Sequence, residues 1–158
     1  MATQLNARAL TTNEQAGNGG YTHIVVVDHT NLTETTTNTA QTFNVAPTLA
    51  GDTIVKYAMV LKTPLKDASD SAFNSNTLSF GDSSSATRFV SGVQANENGT
   101  EVTYTFGNTA YTYTAAGQLT ITVNSMSAKA LSDVDTGQVI FMFELLRHSA
   151  LAAAVGSI

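Results

Sequence analysis

The sequence predicts an all-β protein, an antiparallel β-sandwich or jelly roll of about eight short strands with an extended N-terminal arm. Three observations carry this. Threonine alternates with large apolar side chains in Glu101–Gly107, again in Tyr111–Thr114 and again in Leu119–Val123. That period of two places one set of side chains on a buried face and the threonines on the other. Two denser runs, Ile24–Val27 and Val139–Phe143, are apolar on both faces, as strands deep in a sandwich are. Turn residues separate these runs, and no long stretch has helical periodicity.

The elements follow in order. Residues 1–20 are polar and end in Asn18-Gly19-Gly20, with Leu5 and Leu10 as apolar anchors. This reads as an arm reaching up to roughly 60–70 Å, unstructured or laid on a neighbour. A sandwich domain is expected over 21–147 and an apolar tail over 148–158. The first strand runs through Tyr21–His29, and a weaker one through Thr39–Ala46 closes at Pro47. Leu49–Asp52 is a turn. A long strand spans Thr53–Thr63, with Val55, Tyr57, Met59 and Leu61 on one face and Pro64 at its end. Thr77–Phe80 is a short strand before the turn Gly81–Ser85. In Ala86–Gln94, Phe89 and Val93 stand four apart, so a helical turn competes with a strand. Asn98-Gly99 marks a turn before the threonine-alternating strands, and Ala115–Gly117 is expected to join two of them as a hairpin. A capped turn at Ser132–Gly137 leads into the last strand, Gln138–Arg147.

Composition narrows the function. At 158 residues the chain can bury a core without staples. It has no cysteine, which excludes disulfides and thiolate metal sites. Charged residues make up only 12% and the net charge is −5, so the basic stripe of a nucleic-acid binder is missing. A weakly self-repelling surface of this kind tolerates close packing against copies or partners. No signal peptide is expected at the N-terminus, and no apolar run is long enough for a membrane helix.

The candidate chemical motifs are incomplete. Gly81-Asp82-Ser83 resembles the nucleophile block of GDSL-type esterases. That family is α/β and pairs its serine with a C-terminal Asp and His, whereas His148 here follows Glu144-Leu-Leu-Arg147. His23 and His29 would stand roughly 20 Å apart on one strand, too far to share an ion, and Asp28 faces the other way. Asp133-Val-Asp135-Thr-Gly137 has the start of a calcium loop, with its glycine one place early, and Asp67 and Asp70 form a second loose cluster. The carboxylates of these two loops are expected to form Asx-type turns, and His23, Asp28 and His29 are expected to be polar residues at strand ends. Asn31-Leu-Thr33 and Asn98-Gly-Thr100 match the glycosylation sequon by composition, and are expected to be unused. Tyr104, Phe106, Tyr111 and Tyr113 alternate along two strands, as core or as a sugar-stacking platform. No catalytic residue, metal or cofactor is assigned, and the chain is read as non-enzymatic.

The segments Asn38–Phe43, Gly51–Val55, Lys62–Asn74, Gly81–Phe89, Asn98–Val102 and Leu131–Val139 together resemble a recurrent virion structural protein of tailed bacteriophages. Proteins of that kind are often head decoration (cement) proteins. The resemblance covers most of residues 21–147 and excludes the Ala-rich tail. It implies a protein made in the host cytoplasm that sits on the outer capsid surface, contacts the major capsid protein and its own copies, often as a trimer, and has neither membrane nor nucleic-acid partner. Its arm would cross a capsomer boundary. The expected capsid or subunit contacts are Leu5, Arg8, Leu10, Tyr21 and Leu151. The alternative is a carbohydrate- or receptor-binding sandwich of a fibre or tail tip, carried by Tyr104, Tyr111 and Tyr113.

Overall fold

The fold is known from a computed structural model, which describes residues 3–95 and 102–148, with backbone only for 102–106 and 109. Expectations for Asn98-Gly99, for Leu151 and for the tail beyond His148 fall outside the described residues, as do the side chains of Tyr104 and Phe106.

The elements are β1 (Thr3–Gln4), β2 (Arg8–Ala9), α1 (Thr12–Gly17), β3 (His23–Asp28), β4 (Gln41–Thr48), β5 (Asp52–Lys66), β6 (Thr77–Asp82), β7 (Ser85–Gln94), β8 (Val102–Thr112), β9 (Gly117–Asn124) and β10 (Thr136–Arg147). They form two five-stranded sheets, β1-β4-β9-β6-β7 and β2-β3-β10-β5-β8. The antiparallel pairs β3–β10, β4–β9, β5–β8 and β6–β7 are nested about the β6–β7 turn. One long hairpin has in effect been rolled up, which gives the strand order of a jelly roll. The all-β sandwich expected from the sequence is therefore present.

The core lies between the sheets. Phe43, Phe80, Phe141, Phe143, Ile54, Met59, Leu61, Leu119 and Ile121 are fully buried in it. Strand β10 shows the simplest pattern: Val139, Phe141, Phe143 and Leu145 point inward while Gln138, Ile140, Met142 and Glu144 alternate outward.

Several expectations about elements are corrected, each for a local reason. Tyr57, Met59 and Leu61 are core, but Val55 is not. Glu144 faces Lys56 and Leu145 faces Ile54, so β5 carries one extra residue there and Ile54 takes the inward position. Strand β5 also continues past Pro64 to Lys66. The register is broken there between Thr136 and Gln138, and Gly137 (φ 123°) closes against Pro64, so the proline sits at a bulge where no ladder donor is needed. Residues 85–94 are strand, and the four-residue spacing of Phe89 and Val93 comes from a third bulge. Leu78 opposes Val93 and Phe80 opposes Val90, with Gly92 (φ 59°) between them. Ala115–Gly117 does not close a hairpin, because β8 and β9 lie in different sheets and the connection crosses the sandwich.

Residues 3–20 are not a free arm. Strand β1 adds in parallel to β4 (Thr3↔Phe43), and β2 adds antiparallel to β3 (Ala9↔His23). Leu5 and Ala7 donate to the carbonyls of Asn44 (2.9 Å) and Val45 (2.7 Å), so the segment straps the same edge of both sheets. Helix α1 follows, started by a capping box in which the Thr11 hydroxyl and Glu14 carboxylate exchange bonds with each other's backbone.

Candidate functional site

Two places concentrate side-chain chemistry or apolar surface. The first is the turn end of the sandwich around Asp82. The two-residue hairpin Ser83-Ser84 brings Asp82, at the end of β6, opposite Ser85. Asp82 is buried, and its Oδ1 accepts the backbone N–H groups of Ser84 (2.9 Å) and Ser85 (2.8 Å). Arg88 from β7 pairs with the same carboxylate, and the Tyr113 hydroxyl donates to its Oδ2 at 3.2 Å. Burial pushes the Asp82 carboxyl up, but the Arg88 bond and the two N–H groups outweigh it and hold it below its ordinary range. Burial and the adjacent Asp82 charge push the Tyr113 phenol up. The Arg88 guanidinium lies 4.2 Å from the Tyr111 ring centre, and Tyr111 meets Tyr113 edge-on at 5.0 Å. A cavity of about 90 Å³ is left between this cluster and Thr114–Gly117.

These contacts bear on the tyrosine platform. Tyr113 is 6% exposed, and the guanidinium of Arg88 lies over Tyr111, which also packs edge-on to Phe89 at 6.1 Å. The buried Tyr113 ring is not open for stacking on a sugar, and Arg88 takes one face of the partly exposed Tyr111 ring. The side chain of Tyr104 lies outside the described residues.

The catalytic motifs are not assembled around Ser83. Its backbone N–H bonds the Gln118 carbonyl at 2.9 Å, and the three histidines are engaged elsewhere. His148 meets the Thr53 hydroxyl at 3.2 Å, His29 pairs with Asp28 at 3.1 Å, and His23 stacks on Phe143 at 5.1 Å. Burial, then the Arg147 charge, lowers the His23 pKa. Among the described residues no three His, Asp or Glu side chains converge as metal ligands. Asp67 holds the N–H and hydroxyl of Ser69, Asp70 holds Ala72 N–H and Lys129, and Asp135 holds Ala68 N–H at 2.9 Å. They fasten turns beside a cavity of about 250 Å³ lined by Lys66, Asp67, Asp70 and Phe73.

The second place is the outside of the β2-β3-β10-β5-β8 sheet, and the sequence reading missed it. Val26, Ile140 and Val60 are register partners across three strands, all outward and all partly exposed. The next row is Ile24, Met142 and Ala58, and here the chain covers itself with Leu10 and Tyr21. Beyond it Lys56 pairs with Glu144 at 3.3 Å, lies 5.0 Å from the Tyr21 ring centre and donates to the Gly19 carbonyl. On the other flank Asp28, Gln138 and Lys62 border an open hollow of about 280 Å³. The face is thus an aliphatic row with a polar rim, the layout of a protein contact surface. The signal in the sequence was the run Ile24–Val27, apolar at outward positions as well as inward ones.

The opposite outer face is different. Thr42 and Thr122 bond each other across β4 and β9 at 3.2 Å, Ser79 accepts the Gly92 N–H at 3.1 Å, and Asn124 donates to Thr77 at 3.2 Å. Most of these hydroxyls are used between strands, while the Thr120 hydroxyl is buried there without a hydrogen-bond partner, so the face offers little free polar chemistry.

The expected contact residues separate under this geometry. Leu10 (6% exposed) and Tyr21 (7%) are buried within the chain, where they pack with Ala58, Ile24 and Met142 and hold the strap to the sheet. Leu5 is partly buried against the core, and Arg8 is exposed but forms a two-pronged pair with Glu14 at 2.9 and 3.0 Å. Leu151 lies outside the described residues. No family model, curated protein or solved structure matches the chain.

Proposed function

We propose that the chain is a non-enzymatic head decoration protein of a tailed bacteriophage, which binds the outer capsid surface and bridges major capsid protein subunits. The observation that carries this reading is the outward row Val26–Ile140–Val60 on one sheet face, with its polar rim and its uncharged, hydroxyl-lined counterpart on the other. The jelly-roll order is compatible with it, but a fold alone does not assign a function. The resemblance in segments such as Lys62–Asn74 and Gly81–Phe89 supplies the virion context. In this reading the aliphatic row meets the shell and the hydroxyl wall faces away from it. Each copy makes a modest contact, and bridging two subunits adds avidity without one strong interface.

The test is the composition and occupancy of purified particles. The chain should be present on heads in fixed proportion to the major capsid protein, and its absence from heads would refute the reading. Val26→Lys with Val60→Lys should abolish rebinding to stripped heads while leaving the melting temperature within a few degrees of the parent, since both positions are partly exposed. Undiminished rebinding would remove the aliphatic row from the interface.

A further inference from the structure

Residues 3–17 form a compact unit laid on one edge of the sandwich. The unit is internally braced. The Arg8 guanidinium grips Glu14, the Thr11–Glu14 capping box starts α1, and Gln15 Nε2 donates to the Leu10 carbonyl at 2.8 Å. It meets the sandwich through two-residue pairings on β4 and β3, the Leu5 and Ala7 N–H groups on the Asn44 and Val45 carbonyls, and the Leu10 N–H on the Thr22 carbonyl at 2.8 Å. An apolar plug, Leu10, sits among Tyr21, Ala58, Ile24 and Met142, and Leu5 and Ala7 pack against the edge of the main core. The connection back to β3 is Asn18-Gly19-Gly20, where both glycines take positive φ (67° and 80°) and the chain reverses. Lys56, which belongs to the body, holds the Gly19 carbonyl.

We propose that this N-terminal clasp exchanges between copies, so that the strap of one molecule occupies the β3–β4 edge and the Leu10 seat of a second. The seat is the same in both arrangements, so every contact named above between clasp and body is kept on exchange. What differs is the hinge. In the closed form two successive residues lie in the left-handed region, which glycine adopts freely, and opening the reversal lets the clasp reach outward. The Lys56 bond to Gly19 ties the hinge to the body in the closed form. Concentration then decides the balance, because exchange is bimolecular and closure is not. The partner is a second copy of this chain, whatever surface the copies share, and the inference does not depend on the capsid reading.

The chain contains no cysteine, so introduced thiols report unambiguously. Ala9→Cys and His23→Cys stand at register partners across the β2–β3 pair. The two single variants, tagged differently, are unfolded together, refolded at low and high protein concentration, and oxidised. The expected product is a disulfide-linked heterodimer, in which the thiol introduced at Ala9 of one chain is joined to the thiol introduced at His23 of the other. It should increase with concentration and exceed both homodimers. A heterodimer no more abundant than the homodimers at every concentration overturns the proposal. The double variant, refolded dilute, should close an intramolecular disulfide; failure to do so would show the β2–β3 register to be wrong and remove the seat on which exchange depends. Gly19→Ala provides the second arm. No atom lies within 4 Å of its added Cβ, so the substitution acts through φ alone and should raise the exchanged fraction on the order of tenfold. An unchanged fraction would rule out the hinge as the controlling element.

Discussion

Gly107 sits directly across from Tyr57 in the β5–β8 pair, and the Tyr57 ring fills the space that a side chain at 107 would need. A Cβ there would fall well inside contact distance of ring carbons and of the phenol oxygen. The ring has no easy retreat. It packs against Phe80 (6.1 Å) and Phe89 (5.7 Å), and its hydroxyl donates to the Phe89 carbonyl at 2.5 Å, which joins the two sheets. Gly107→Ala should therefore cost about 1–3 kcal/mol in overpacking. Pulling the buried phenol off its acceptor adds about 1–3 kcal/mol. The sum, about 2–6 kcal/mol, corresponds to a fall in melting temperature of roughly 5–20 °C for a chain of this length. The decisive assay is a double-mutant cycle by urea denaturation with Tyr57→Ala. That variant alone should lose about 3–5 kcal/mol to the cavity. In its background the clash is gone, and Gly107→Ala should become neutral or stabilising by up to about 1 kcal/mol, because alanine loses less backbone freedom than glycine. The reasoning is refuted if the two costs add within about 0.5 kcal/mol, since that would show the glycine to be needed for something other than the Tyr57 ring.

Other outcomes follow from the same geometry. Asp82→Asn should destabilise by about 1.5–3 kcal/mol in chemical denaturation, as it removes the charge facing Arg88. The folded Asp82 pKa lies below its unfolded value, so its contribution is present above the ordinary carboxylate pKa and is lost as pH falls through the lower folded value; the Asn variant should lose stability less steeply on acidification below about pH 4. Arg8, then Thr11, holds the Glu14 pKa down to about 2, so amide exchange in α1 should stay slow on acidification until pH approaches that value; loosening already near pH 4 would contradict the bracing. Gly137→Ala should cost about 2–5 kcal/mol, because φ is 123° and its Cβ would lie 2.5 Å from the Pro64 carbonyl oxygen; a neutral result in thermal melts would show that the bulge repacks. Leu10→Ala should speed hydrogen exchange at Leu5, Ala7 and Leu10 far more than at Val139–Phe143, since the plug secures the clasp and not the core.

Much of the fold was legible because side-chain alternation is local. The inward phase of Val139, Phe141, Phe143 and Leu145 follows from the sequence, as does that of Leu119, Ile121 and Val123. Errors came where one residue is inserted. Val55, the Phe89–Val93 spacing and the end of β5 were misread because a bulge shifts the phase of everything beyond it, and a bulge is defined by the partner strand. Helix α1 was missed although Thr11 and Glu14 carry a capping-box signature, because six residues show too little periodicity to stand out. In the turn-end cluster Asp82 and Ser83 were visible as a motif, but Arg88, Tyr111 and Tyr113 reach Asp82 only through the β6–β7 hairpin and the crossing of the sandwich. The aliphatic face was invisible for a related reason. An outward Val26 becomes part of a surface only once Ile140 and Val60 are registered beside it.

The sequence by itself determined the class of protein: short strands of alternating threonine and apolar residues, low charge, no thiols, and turns where Gly, Asp and Ser permit them. These follow from steric and solvation preferences that act over a few neighbouring residues. Only the tertiary structure decided which strands neighbour one another, that residues 3–20 strap the sandwich instead of leaving it, and that Leu10 and Tyr21 are buried while Val26, Val60 and Ile140 remain partly exposed. Those outcomes depend on pairing between segments distant in sequence, about 40 residues for β1 with β4 and more than a hundred for β3 with β10, and local preference carries no information about such partners.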